Sequence, residues 1–449
     1  MSVTVRAVGR RESWTRVVLL GALSACRPAS SDAAPPAPAV TASSSSPSSL
    51  PSPSPSSSPP GHAATIEVDL AGDVIPQQKV LANTIADVFA NAPTCWRDAD
   101  ARVFNLEAPI GARESLTSDK STLAYAAPPA WFADLYAASR ASAFVVANNH
   151  ACDLGPQGLA DTAREAAKLS APIVGVEAND PWKRVDFIER NGRHVCLVAW
   201  TTFLNDKGKK QRGCIDGEAG AKVARAELTS QGLDTIQREL GREGRWDGCD
   251  ARIAYVHGGR EYQTQIRPVL DQAAAAASYV DAVIVSHPHI PDGVEIVKAA
   301  APRDAHADLA GRARDRGVPV FKSLGNFISN QGLGWTSGMS TELIQTDGVP
   351  DPLRIVWTRV AMIARLRFTW DDAAPLAHAP STVRYGYTLA FIDREPIASI
   401  RLRAFPSTDA HTDATAEHLA TAPKPFGPLL RDRCHVPSEA PPPCDPDAH

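Results

Sequence analysis

The sequence predicts an α/β fold, on two observations. Through the middle of the chain, short apolar runs of strand character alternate with alanine-rich stretches of helical periodicity, the pattern of buried sheets covered by helices. Beyond Pro352 the pattern changes to longer alternating segments, as in antiparallel strands. Taken in order, folded sequence begins near Thr65, where Ile66, Val68 and Leu70 alternate into Gly72-Asp73. Further strands are expected at residues 103–106, 144–147, 173–176, 195–200, 253–256, 282–285 and 318–324. Between several of them, helices are expected at 129–142, 158–169, 219–240 and 266–279. The last segments, 354–370, 386–393 and 397–405, are expected to complete a sheet rather than form a separate unit.

At 449 residues the chain can bury a full core and could hold more than one domain, although a large α/β fold often uses this length for one. A net charge of -4 and a pI near 6.3 leave no electrostatic footprint for nucleic acid, which is set aside as a partner. The N-terminus reads as an export signal, residues 1–26. Arg6, Arg10, Arg11 and Arg16 precede a short apolar run at 17–23, followed by Leu23-Ser24-Ala25-Cys26. That run is too short for a permanent membrane span. Its last four residues resemble the lipobox of bacterial lipoproteins, in which the cysteine is acylated. The alternative is an ordinary signal peptide with an incidental cysteine.

Residues 27–63 are almost entirely Ser, Pro and Ala, a composition that cannot bury enough apolar surface to fold. They read as a tether, with a reach on the order of 100 Å at roughly 3 Å per residue in extended polyproline form. The folded domain is expected over 64–432, with a proline-rich tail at 433–449. Export and the lipid on Cys26 would place the domain at a membrane surface, outside the cytoplasmic membrane or in the outer membrane. Eight cysteines suit an exported protein. With Cys26 lipidated, an odd number remains, so at least one thiol is free or paired between chains. Cys434 with Cys444 is the expected local bridge, and Cys214 with Cys249 a weaker one.

Polar groups gather where the strands end. Asp73 follows the first strand, Asn105-Leu106-Glu107 closes the next, and Asn148-Asn149-His150 with Asp153 closes the third. Later come His257 with Glu261, His287-Pro288-His289, and the segment from Ser323 to Asn326. In α/β sheets the crevice outside the carboxyl ends of the strands is where ligands sit. Carboxylate, amide oxygen and neutral imidazole are ligands for a borderline-hard divalent cation, and no sulfur ligand is implied. Singly, each has an ordinary explanation as a helix cap, a surface charge or a hydrogen-bonded core histidine. At consecutive strand ends they point together to one metal-binding rim.

The segments VDLAGDVIP, FNLEAPI, ANNHACDLGPQGLADT, HGGREY, SHPHIPDGVEI and FKSLGNFISNQ are, in that order, similar to the signatures of the bacterial capsule synthesis family often called CapA, or poly-γ-glutamate biosynthesis family. That family resembles a branch of the calcineurin-like metallophosphoesterases. The resemblance spans about residues 66–331 and implies a four-layer α/β/β/α sandwich with a dinuclear centre of divalent metal, Mn, Fe and Zn not being distinguished. It implies Asp73 as the first-motif carboxylate, Glu107 in the place of the bridging aspartate, and Asn149, His257, His287 and His289 as further ligands. His150 matches the group near the leaving oxygen, with Asp153 placed to orient it. Glu261 and Tyr262 match a segment particular to the family. Three positions depart from the wider pattern: Ile75 where a histidine is usual, Gly258 where tryptophan is usual, and Val285-Ser286 before the closing histidine pair.

Two functions follow from the resemblance as expectations. The first is a lipid-anchored, metal-dependent hydrolase taking part in capsule or poly-γ-glutamate synthesis, its partner an anionic envelope polymer or a phosphorylated substrate. The second is a noncatalytic envelope lipoprotein that assists polymer assembly or export. For His150 and Asp153 the ordinary alternative is a hydrogen bond within the turn and a cap on the helix near Pro156.

Overall fold

The computed structural model describes residues 64–112, 124–205, 208–264, 267–299, 316–334, 345–346, 349–350, 355–371, 379–394 and 400–405. The expected export signal, tether and tail, and the Cys434–Cys444 pair, lie outside the described residues. Strand β1 (Ala64–Val74) leads into three short helices, α1 (Gln78–Leu81), α2 (Ile85–Phe89) and α3 (Thr94–Asp98). Strand β2 (Ala101–Leu106), helix α4 (Pro129–Ser139), strand β3 (Ala143–Val145), helix α5 (Gly155–Lys168) and strand β4 (Ile173–Val174) continue the alternation. Next come β5 (Val176–Glu177), β6 (Val185–Arg190), β7 (Arg193–Thr201), α6 (Lys209–Asp216), β8 (Lys222–Val223) and α7 (Ser230–Leu240). Strand β9 (Ala251–His257) and helix α8 (Arg267–Ala277) precede β10 (Ala282–Ser286), β11 (Pro291–Lys298), β12 (Gly317–Leu324) and β13 (Asn326–Ile328). A small ribbon of β14 (Gln345–Thr346) and β15 (Val349–Pro350) is followed by three longer strands, β16 (Val360–Trp370), β17 (Thr382–Arg394) and β18 (Ile400–Phe405).

Two large sheets result. The first has the order β18-β17-β16-β1-β2-β3-β4, with β13 beside the end of β1. Its strands β1 to β4 are parallel, and β16 to β18 extend it antiparallel, as the alternating C-terminal segments predict. The second has the order β11-β12-β10-β9-β7-β6, with a parallel centre and an antiparallel strand at each edge. Strand side chains alternate between faces, so each sheet has two apolar faces to cover. Ile66, Val68 and Leu70 of β1 share one core with Ile253 and Tyr255 of β9, between the sheets. On the other face of the first sheet, Phe104 and Phe144 pack with Trp96 of α3, Phe132 of α4 and Leu159 of α5. On the outer face of the second, Trp200 and Val256 pack with Ile236 and Leu240 of α7 and Val269 and Ala273 of α8. The layers are therefore α/β/β/α. Each large side chain so buried contributes about 1.5–3 kcal/mol.

Three expectations are corrected. Residues 219–229 are not helical, because 222–226 are drawn into tertiary hydrogen bonds. The Ala224 N–H donates to Gly175 O at 2.8 Å and the Ala226 N–H to Thr201 O at 3.0 Å. The helix starts only after Thr229, whose hydroxyl accepts from the Gly232 N–H and caps it. The run 173–176 is not one strand: Gly175 has φ 90 and divides it between β4, paired with β3, and β5, paired with β8. Finally, Cys214 does not pair with Cys249. Among the described residues the bridges are Cys152–Cys214 and Cys196–Cys249, with Cα separations of 6.2 and 5.8 Å. The first ties the turn after β3 to α6, and the second ties β7 to the segment entering β9.

Candidate metal centre

Parallel strands put all their carboxyl ends on one rim, and that rim gathers every residue singled out above. Asp73 comes from the end of β1, Glu107 from just beyond β2, and Asn149, His150 and Asp153 from the turn after β3. From the second sheet, β9 ends on His257 and the turn after β10 carries His287 and His289. Close backbone approach sets the depth of the cluster. The Asp73 N–H donates to Gly325 O at 3.1 Å, and a Cβ on Gly72 would lie 1.8 Å from that same oxygen. Only glycine fits before the aspartate.

The side chains form one buried constellation. Asp73 Oδ1 accepts from Asn105 Nδ2 at 2.8 Å, while its Oδ2 accepts from the His287 N–H at 3.2 Å and lies 3.3 Å from His289 Nδ1. His257 meets Ser286 Oγ at 2.9 Å and Asn105 Nδ2 at 3.2 Å through Nδ1, and Asn149 Oδ1 at 2.7 Å through Nε2. Glu107 lies 3.6 Å from His257 Nε2, and 3.9 Å from both His150 Nε2 and His289 Nδ1. The rings of His257 and His287 meet edge to face at 5.0 Å. His287 and His289 both have left-handed backbones, φ 102 and φ 59, which costs on the order of 1–3 kcal/mol each and is a form of strain that concentrates at functional sites.

His150 and Asp153 stand at one side of this cluster. His150 Nδ1 is 2.7 Å from Asp153 Oδ2, which also accepts from the Tyr125 N–H at 2.6 Å, and the Tyr125 ring lies 4.5 Å from the imidazole. Asp153 does not cap α5: the N-cap position is Leu154, with no side-chain cap. Its carboxylate is turned to the imidazole instead.

Electrostatics give the constellation its chemical meaning. Burial, then the charges of Asp73, Glu261 and Asp153, pushes the Glu107 carboxyl well above the ordinary value. Burial, then the neighbouring imidazoles, holds His257 and His287 well below theirs, so both are neutral and able to ligate. Burial also pulls His289 down, but Asp73 and Asn326 outweigh it and its value is raised. Both Glu107 carboxylate oxygens and His287 Nδ1 are buried without a hydrogen-bond partner. Glu107, His287 and His289 can each offer a ligand atom, all within 4.8 Å of one another. Buried acceptors left unpaired cost free energy, and a divalent cation would satisfy them. The donor set, carboxylate and imidazole without thiolate, fits that group.

Several polar neighbours tie the candidate ligands together. Asn105 links Asp73, His257 and Asn148, whose Nδ2 donates to Asn105 Oδ1 at 3.0 Å. Asn326 Oδ1 meets His289 Nδ1 at 3.0 Å, and Asn205 reaches Asn149 and His150. Asn105 and Asn326 stood in the strand-end pattern, but no local signal marks Asn205 or Ser286. Where histidine is usual, Ile75 is buried in the core, its N–H donating to Ile328 O at 2.9 Å. At Gly258 a Cβ would come within 2.4 Å of the Thr202 side chain, so no larger residue fits there. Glu261 is exposed at the mouth, while Tyr262 is buried with its ring 5.9 Å from His289.

Known proteins share parts of this chain. It is 27% identical over 203 residues to the PGA biosynthesis protein CapA of Bacillus subtilis (strain 168), covering 44% of this chain and 45% of that one. It is 25% identical over 207 residues to the capsule biosynthesis protein CapA of Bacillus anthracis, covering 44% and 42%. The chain thus matches less than half the length of these curated relatives. A putative 5'-nucleotidase from Staphylococcus aureus, solved in complex with alpha-ketoglutarate, is similar at 13% identity and a TM-score of 0.35, over 79% of this chain and 58% of that one. That score is too low to bear on function. Residues 67–331 match the family model of the bacterial capsule synthesis protein PGA_cap. That span is most of the chain and holds every ligand candidate from Asp73 to His289, so the chain belongs to the PGA_cap family.

Proposed function

We propose that this protein is a metal-dependent hydrolase of the cell envelope that takes part in the synthesis of a capsular or poly-γ-glutamate polymer. The observation that carries the reading is Glu107, wholly buried, with neither carboxylate oxygen hydrogen-bonded, among His257, His287 and His289. Asp73, Glu107, Asn149, His257, His287 and His289 would hold divalent metal, with donors enough for two ions. When bound, the metal supplies Lewis-acid activation of the substrate and of the attacking water. The chain's own part is to bind and to move a proton. His150 Nδ1 is held by Asp153, which leaves Nε2 toward Glu107 as the atom that exchanges a proton with the leaving group. An anionic polymer or a phosphorylated group is the substrate class that this metal rim would take, and the family's link to capsule supports the choice between polymers.

The test is metal content and turnover. Wild-type full-length protein should carry divalent metal and hydrolyse a phosphodiester or γ-glutamyl substrate, and the double variant His287→Ala/His289→Ala should lose most of its metal. Equal stoichiometry in the two would remove these histidines as ligands. Metal without turnover would favour the assembly role, in which the site only binds polymer. The envelope location has its own test, since Cys26→Ala should release the protein from membranes. A variant that stays bound after a high-salt wash would refute the lipid anchor.

A further inference from the structure

The polar contacts of the site run through a residue that neither the candidate metal ligands nor the His150–Asp153 pair includes. Asn105 Nδ2 lies 3.2 Å from His257 Nδ1, and His257 Nε2 lies 2.7 Å from Asn149 Oδ1. Asn149 Nδ2 then donates to Asn205 Oδ1 at 3.2 Å. Asn205 Nδ2 in turn lies against the His150 ring, 3.2 Å from Nε2 and 3.4 Å from Nδ1, and His150 Nδ1 is 2.7 Å from Asp153 Oδ2.

Asn205 is the link that joins the ligand cluster to the His150–Asp153 pair. Its segment is held against the turn after β3 at several points. The Asn205 N–H donates to Asn149 O at 2.9 Å, Lys210 Nζ donates to Asp153 O at 2.6 Å, and the Cys152–Cys214 bridge closes the far end. We propose that Asn205 is a positioning residue with two effects. Its Oδ1 holds the Asn149 amide so that the Asn149 oxygen faces the ligand cluster. Its Nδ2, against the ring, holds the His150 imidazole in place with Nε2 toward Glu107.

The first effect rests on the metal-centre reading above; the second does not. Orienting partners of this kind are worth about ten- to a hundredfold in metal affinity. Asn205 is exposed and its backbone hydrogen bond survives truncation, so Asn205→Ala creates no buried void and leaves the turn tied down.

The experiment titrates chelator-treated full-length protein with Mn²⁺, following free ion by electron paramagnetic resonance. It also records the ¹⁵N shifts of the His150 ring without metal. Asn205→Ala should weaken Mn²⁺ binding about tenfold or more, leave the melting midpoint of the metal-free protein unchanged, and shift the His150 ring resonances. Asn205→Asp, which keeps an acceptor for Asn149 but no donor for His150, should recover Mn²⁺ affinity and not the wild-type His150 shifts. Unchanged Mn²⁺ affinity and an unchanged His150 spectrum in Asn205→Ala would overturn the proposal. If wild type itself binds no Mn²⁺, the metal-centre reading fails, and the His150 spectrum alone decides whether Asn205 positions the imidazole.

Discussion

Asn149 and His150 are neighbours in the chain with different surroundings, and the difference predicts different losses. The Asn149 amide oxygen meets His257 inside the cluster, whereas the His150 ring lies between Asp153, Tyr125 and Asn205 at its side. Replacing His150 by Gln should keep the metal and lower turnover by about a hundredfold or more, the usual size of a lost proton donor. Replacing Asn149 by Ala should lower metal content first. Metal analysis beside single-substrate kinetics separates the two, and a His150→Gln enzyme at full speed would assign the proton to another group. At this scale much of the site was legible. Carboxylates, amides and imidazoles at consecutive strand ends are hard to explain by turn chemistry alone, because a turn needs asparagine or glycine but not histidine and aspartate as well. What was not legible are the partners brought in by folding. Ser286 looks like any strand-end serine until its hydroxyl is placed 2.9 Å from His257 Nδ1.

Among the elements, the joint between β1 and β16 carries a buried ion pair in direct register, Asp69 opposite Arg365. Arg365 Nε and Nη2 donate to Asp69 Oδ1 and Oδ2 at 2.8 and 2.9 Å. Burial nonetheless pushes Asp69 up to about 6, against the pull of Arg365. Folded Asp69 therefore keeps its proton to higher pH than the unfolded chain does. The stability this lends is full below the ordinary value of 3.8 and is lost as pH rises through about 6. Relative to Asp69→Asn, the wild type should lose up to about 3 kcal/mol between these limits. At neutral pH, Arg365→Met should cost about 3–5 kcal/mol, because it strands a buried charge. Denaturant unfolding across the pH range checks both, and a flat difference from Asp69→Asn would show that burial does not control this carboxyl. The alternating pattern announced β16 and β17 but not β6, an edge strand whose Asp186 is exposed and Glu189 likewise, so that only Phe187 is buried. Nor could periodicity foresee that Gly175 would bend one apolar run into two strands.

The whole molecule divides the candidate ligands between its two sheets, with Asp73, Glu107 and Asn149 at the ends of the first and His257, His287 and His289 at those of the second. The division was not legible in the sequence, since the spacing of strands says which residues end them but not which sheet each joins. The crossover from β4 through β6 and β7 begins the second sheet and brings the later histidines over the earlier carboxylates. A cation held by residues of both sheets would clamp the sandwich across its central core, and could do so only in the folded state. It should therefore stabilise the fold by about 2.7 kcal/mol at a free concentration of a hundred times its dissociation constant. Mn²⁺ should accordingly raise the melting temperature of chelator-treated wild type, with the rise growing logarithmically with concentration. The same titration of His287→Ala/His289→Ala should leave the melting temperature nearly flat, although that variant keeps both disulfides and the Asp69–Arg365 pair. A variant that melts higher with Mn²⁺ by as much as wild type would mean that the ion binds elsewhere and does not join the sheets.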